Sequence, residues 1–274
     1  MTAPAMQIPP PSARVELAVT VLVSWAVFAS IPLWLGGIGL GWDALNHHVY
    51  LGWVADSPRF DRDFLAAHYQ SYQYPYLYWP MYKMVQAGLD GALAGALLAS
   101  LNVLVVPALW LVSRVLVPAR DWEGTILRAT ALALAFASGV VLSHFDSTGN
   151  DLLAAIPLVW AVALALAAWL PGEAPRLKPR TLMILSGACA GMAAAFKLSN
   201  GPLALVLPVA WACVGKGWRA RITHAVSGSV ATVAAFAVFY AYWGWQLWLH
   251  FGNPVYPFYE GWFALLRRWI GVAS

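Results

Sequence analysis

The chain has 274 residues, 61% of them hydrophobic and 10% charged, where a soluble domain carries about 25% charged residues. That little charge cannot cover a water-facing surface, so composition and a mean hydropathy of +0.66 exclude a soluble globular protein, and nothing points to a nucleic acid as partner. The formal net charge of +4 says less than the placement of the charges.

In chain order, residues 1–14 form a polar, Pro-rich tail, expected in the cytoplasm. Apolar segments follow at 17–39, 92–113, 125–145, 151–170, 181–199, 202–215 and 225–249. The first is too long for a signal-peptide core and has no clear small-residue cleavage site, which predicts an uncleaved span. A span needs about 20 mostly apolar residues. Backbone groups in lipid must be satisfied within the segment, so these runs are helices. The sequence thus predicts an all-α polytopic transmembrane helical bundle of about seven spans over residues 15–270. The sixth segment is short and starts at Asn200-Gly201-Pro202, which suggests a tight hairpin with the fifth. Cys189 and Cys213 sit inside apolar runs and are expected as small core side chains.

Lys and Arg collect on the cytoplasmic side of multi-pass proteins. With the N-terminus inside, ten of the sixteen basic residues (Arg14, Arg114, Arg120, Arg128, Arg176, Lys178, Arg180, Lys216, Arg219 and Arg221) face the cytoplasm, and eight of the twelve acids face outward. The expected location is the cell inner (plasma) membrane. The loop at 41–91 lies outside, is rich in Trp and Tyr, and is too long to lack structure of its own. Its composition predicts amphipathic helices on the outer leaflet, serving as an interfacial collar or as a lid over a site.

Four groups of residues could carry chemistry. Asp43 and His47 are four apart and share a helix face, with His48 alongside; Asp43 is a general base, a metal ligand or a helix cap. The turn Ser143-His144-Phe145-Asp146-Ser147-Thr148-Gly149-Asn150-Asp151 offers hard oxygen ligands suited to magnesium, calcium or manganese, or a cap for the fourth span at Asn150 or Asp151. Lys197, with Ser199 and Asn200, ends the fifth span, where it either snorkels or holds a lipid phosphate as a point charge. The loop at 248–262 carries two prolines and several aromatics, which suits an interfacial or lipid-contacting loop, although local chemistry alone reads it first as a bare structural loop.

The order of these features resembles the GT-C superfamily of membrane glycosyltransferases, in particular its bacterial members that use polyprenyl-phosphate sugars. The resemblance rests on Trp42-Asp43 just after the first span, the long Tyr-rich loop at 41–91, the acidic turn with Asp146 and Asp151, and Gly252-Asn253-Pro254-Val255-Tyr256-Pro257-Phe258-Tyr259, which looks like a GNPxxPF loop. It implies an inverting transferase moving sugar from a polyprenyl-phosphate carrier to a lipid, glycan or protein acceptor, among membrane lipids, at the outer face. It implies Asp43 as catalytic base or metal ligand, with Asp146, Asp151 and Asn150 as a second site at the acceptor. A divalent cation, magnesium or manganese, would sit among Asp43, Asp146 and Asp151, although some members need no metal. Lys197 would hold the carrier phosphate, with Arg59 and Arg62 behind it, and His47, His48 and Asn253 in support. Family members generally continue past the seventh span, so an inactive or truncated core module is also expected. The rival reading is a non-enzymatic membrane protein: a transporter, lipid carrier or assembly subunit. Transporters show internal repeats and broken helices near the midplane, whereas the ionisable residues here cluster at one surface.

Overall fold

The computed structural model describes residues 9–63, 66–169 and 177–271. Residues 1–8 of the expected tail and Arg176 lie outside them. Among the described residues there is no strand, only an isolated bridge between Gly39 and Ser147. The helices are α1 Ala13–Leu35, α2 Val49–Val54, α3 Trp79–Gln86, α4 Gly91–Leu101, α5 Val106–Leu116, α6 Trp122–Phe136, α7 Gly139–Leu142, α8 Asp151–Trp169, α9 Pro179–Phe196, α10 Gly201–Val214, α11 Trp218–Phe251 and α12 Glu260–Ile270.

Among the described residues each of the seven apolar segments is mainly helical, and five helical stretches are long and apolar enough to cross a membrane: α1, α4 with α5, α8, α9 and α11. The α4–α5 span carries a 3-10 turn at Asn102–Val105. The other two are shorter than a span, α6 with 15 residues and α10 with 14. The third segment stops early because α6 ends at Phe136, and Ser138 caps the separate one-turn α7 by accepting from the Val141 amide at 3.3 Å. The fifth and sixth segments do form a hairpin. Near its turn Asn200 Nδ2 donates to the Ala193 carbonyl at 3.1 Å, and further along Trp211 Nε1 donates to Ser186 Oγ at 2.9 Å. In the long loop, α2 has six residues and α3 eight.

Close backbone approach holds the bundle together. A Cβ on Gly187 or Gly191 of α9 would collide with the Gly228 or Thr232 carbonyl of α11, and one on Gly228 with the Trp211 ring of α10. Lipid gives helices no hydrophobic reason to associate, so small residues that let backbones meet supply the packing. The core here joins Leu182, Met183, Ala190, Leu207 and Trp211. Cys213, expected inside, is exposed instead, because α10 lies at the periphery and shows Leu205, Val206 and Val209 outward as well.

Adjacent segments run antiparallel. Glu16 meets Arg114 at one end of α1, and Pro32 meets Gly95 towards the other. At the first end Arg128 is 1% exposed. Its Nε and Nη2 donate to Glu16 Oε1 and Oε2 at 2.6 and 2.7 Å. Its Nη1 donates to the Val117 and Ala119 carbonyls at 2.9 and 2.7 Å. Trp110 Nε1 adds a bond to Glu16 at 3.1 Å, so α1, α5 and α6 close on one carboxylate. Removing one partner of such a pair strands the other as a buried charge. Arg128→Met leaves Glu16 with Arg114 as its ion-pair partner at 3.8 Å and is expected to cost about 3 kcal/mol, and Glu16→Gln, which takes the carboxylate from both buried arginines, at least as much. Chemical denaturation in detergent checks this.

Candidate active site at one end of the bundle

The segment after α1 is pinned at the opposite end. The Gly39 amide donates to the Asp146 carbonyl at 2.5 Å, and His48 Nδ1 shares a 2.7 Å bond with Thr148 Oγ1. The chain winds as a helix from Trp42 into α2, with a π-helical stretch at Ala44–His48. Such insertions are frequent at functional sites. They turn the two imidazoles inward: His47 and His48 are buried, and the His48 ring stacks on Tyr78 with centroids 4.7 Å apart. Asp43 makes no capping bond. Its side chain is 59% exposed, with Oδ1 3.7 Å from His47 Nδ1.

Below Asp43 lies a cavity of about 260 Å³, lined by residues from well-separated segments that include Asp43, His47, His48, Asn150, Asp151 and Lys197. Asp151 opens α8, and the Asn150 carbonyl accepts the first-turn bond from the Ala154 amide at 2.8 Å. Asn150 Oδ1 is buried with no protein partner. Lys197 leaves α9 in extended conformation and its Nζ donates to Asp151 Oδ1. His144 donates from Nδ1 to the Val140 carbonyl at 2.7 Å and presents Nε2 3.6 Å from Asp151 Oδ2. Asn200 Nδ2 reaches the Ala154 carbonyl at 3.1 Å, which ties the end of α9 to the start of α8.

The remaining wall is aromatic. Trp243 Nε1 donates to the Tyr72 carbonyl at 3.0 Å and Tyr74 hydroxyl to the Phe239 carbonyl at 3.3 Å, so the segment around residues 72–78 docks on α11. Tyr74 stacks on Phe196 and on Tyr240. Gln70, Gln73, Tyr78, Leu198, Ser199 and Phe258 complete the lining.

The electrostatics follow from burial and from three nearby charges. Burial first, then the neighbouring His47, push His48 down to about 4, against the opposing pull of Asp43 and Asp151. His47 is likewise lowered, by burial ahead of the Lys197 charge, with Asp43 opposing. Burial raises the Tyr78 phenol, and the Asp151 and Asp43 charges add to that. Tyr78 therefore stays a neutral donor beside two carboxylates, and both imidazoles stay neutral beside a lysine.

Several expected site residues lie elsewhere. Asp146 uses its backbone to hold Gly39 and does not line the cavity. Among the described residues no three His, Cys, Asp or Glu side chains are grouped to hold a metal ion. Asp43 and Asp151 share the cavity, but Asp151 is already engaged by Lys197, so this donor set fits a divalent cation poorly. Arg59 is locked by Asp63 at 2.5 and 3.1 Å and stacks over Trp53. Arg62 is near Asp61 at 3.6 Å and largely exposed. Neither lines the cavity. Asn253 is fully buried and shapes its own loop, donating to the Phe258 carbonyl and Glu260 Oε2, both at 2.9 Å, and accepting from the Val255 amide at 3.0 Å. Sequence reasoning missed Tyr78, Gln70, Gln73, Tyr240 and Phe196 as lining residues. A tyrosine at every second position, Tyr72, Tyr74, Tyr76 and Tyr78, was a usable signal for a docked segment.

The fold and the site define a polytopic helical membrane protein with an ionisable, aromatic-walled cavity at one end of its bundle. Residues 72–269 match the model of Glycosyltransferase family 87, and the chain belongs to that family, a membrane glycosyltransferase family of the GT-C type. The matched stretch holds Asp151 and Lys197 and begins after Asp43. No curated protein and no solved structure matches the chain.

The depressed His48 has a pH signature. Between its ordinary value of 6.5 and about 4 the unfolded chain binds a proton that the native one refuses. Stability therefore falls as the pH drops through that window, by up to about 3 kcal/mol for a shift of this size. His48→Gln, which keeps a hydrogen bond to Thr148, is expected to flatten the acid side of the stability profile between pH 6.5 and 4. Thermal unfolding in detergent across that range checks this.

Proposed function

We propose that this chain moves a sugar from a polyprenyl-phosphate carrier to an acceptor hydroxyl in the cavity, at the outer face of the inner membrane. The observation that carries the reading is the convergence of Asp43, Asp151 and Lys197, from three distant segments, on one cavity of about 260 Å³ in a member of a membrane glycosyltransferase family. The outer face is supported by the sequence: with the cavity end outside, most Lys and Arg fall on the cytoplasmic side with the N-terminus.

The chemistry is a displacement at the anomeric carbon. The acceptor oxygen forms its bond to that carbon while the bond from carbon to phosphate oxygen breaks, with inversion. The hydroxyl proton passes to the Asp43 carboxylate, and the polyprenyl phosphate leaves as an anion beside Lys197. His47 sits against Asp43 and is held neutral, so it orients the base without taking up its charge. The aromatic wall of Tyr72, Tyr74, Phe196 and Tyr240 supplies flat apolar faces for the sugar ring and the first prenyl units. Asp151 holds Lys197 at the cavity edge until a phosphate competes for it. Positioning and charge neutralisation are sufficient for such a leaving group. The acceptor is a lipid, a glycan or a protein.

With a radiolabelled polyprenyl-phosphate hexose and purified protein in nanodiscs, Asp43→Asn is expected to lower transfer by about 100-fold or more, the usual scale for a lost general base. Binding of unlabelled polyprenyl phosphate should stay near the wild-type level in that variant and weaken about tenfold in Lys197→Met, a loss of one charged contact. Full transfer by Asp43→Asn would overturn the assignment of the base.

A further inference from the structure

The last helix, α12, is amphipathic in the sense opposite to a helix packed on a protein in water. Its sequence, EGWFALLRRWI, places Trp262, Leu265, Leu266 and Trp269 three and four residues apart, on one face. These side chains point outward, with Trp262 76%, Leu265 60% and Trp269 85% exposed, while Arg267 on the opposite face is 6% exposed. Arg267 reaches inward: Nη2 donates to Glu260 Oε1 at 2.5 Å, and Nη1 to the Phe251 and Gly252 carbonyls at 3.1 and 3.2 Å. The guanidinium and carboxylate thus face the protein, and two tryptophans and a leucine face away from it. In water that arrangement leaves apolar area solvated; it is favourable where the surroundings are the boundary between headgroups and acyl chains.

Tyr259 and Phe258, just before α12, and Trp245 and Leu249 near the end of α11 are exposed as well. At 1.5 Å per residue, the 34 residues of α11 span about 50 Å, against a hydrocarbon core of about 30 Å, so α11 is long enough to reach past the core, and α12 follows its C-terminal end. We infer that α12 lies in the plane of the bilayer surface at the cavity end, with membrane lipid as the partner of its Trp262, Leu265, Leu266 and Trp269 face. The seat is coupled to the cavity. Arg267 holds Glu260, Glu260 holds Asn253, and Asn253 holds the carbonyl of Phe258, whose side chain lines the cavity wall. The lipid surface therefore braces the loop at 252–259 from outside.

The test uses the full chain in nanodiscs, with Cys189 and Cys213 replaced by alanine and single spin labels at Trp262→Cys, Leu265→Cys, Trp269→Cys and Arg268→Cys. Collisional relaxation by oxygen should exceed that by a water-soluble nickel chelate at 262, 265 and 269, with the order reversed at 268. Nickel-dominated relaxation at all four sites would overturn the inference in favour of a solvated helix. Protection from both reagents at 262, 265 and 269 would overturn it in favour of a protein partner. A second measurement needs no substitution: photolysis of the wild-type chain with a lipid carrying a tail diazirine should yield adducts within residues 260–270. Adducts on α1 and α11 with none on that helix would overturn the inference equally.

Discussion

A joint between two loops organises the site. The Gly39 amide on the Asp146 carbonyl, and His48 on Thr148 across 100 residues of sequence, fix the segment after α1 to the turn before α8. Without these bonds Asp43 would sit on a long loop free to sample many positions, with a closure entropy that local contacts would have to offset. With them, the π-helical stretch at Ala44–His48 turns two imidazoles into the protein and leaves the Asp43 carboxylate at the cavity. The bundle provides the other half of the convergence. The glycine seam of α9 on α11 sets where Lys197 emerges, and Asn200 ties that end to the start of α8.

The two ends of the bundle use charge differently. At one end Glu16 and Arg128 are buried, doubly hydrogen-bonded and satisfied by backbone carbonyls. That pair closes helices and has no spare valence for a ligand. At the cavity end the charges are less buried and incompletely matched: Asp43 faces a neutral imidazole, and Asp151 shares itself between Lys197 and His144. Binding of an anion would find a lysine with one competitor, and binding of a hydroxyl would find a carboxylate and the unpartnered Asn150 oxygen. An incompletely satisfied polar cluster is costly to keep without a purpose, which supports the proposal that the site lies at this end.

The departures from the sequence reading have local causes. Asp146 looked equivalent to Asp151 in a short acidic turn, but the turn spends the Asp146 backbone on Gly39 and directs only Asp151 to the cavity. The family resemblance offered Arg59 and Arg62 as phosphate ligands behind Lys197, yet the i to i+4 partner Asp63 captures Arg59. Asn253 belongs to a recognisable loop, and its side chain is consumed in holding that loop together. In each case the spacing is visible in the sequence, and the competing partner, local or distant, decides where the side chain goes.

The sequence by itself determined the helical bundle, the location of its apolar segments, the sorting of basic residues to one side and the candidacy of Asp43, Asp151 and Lys197. It could do so because lipid leaves the backbone few options, and hydropathy with charge placement encodes them linearly. The tertiary structure alone decided which acids and bases meet in one cavity, that Tyr72, Tyr74 and Tyr78 help form its wall, and that α12 turns Arg267 inward and its tryptophans outward. Those outcomes depend on helix rotation and on contacts between residues far apart in the chain, which no local pattern specifies.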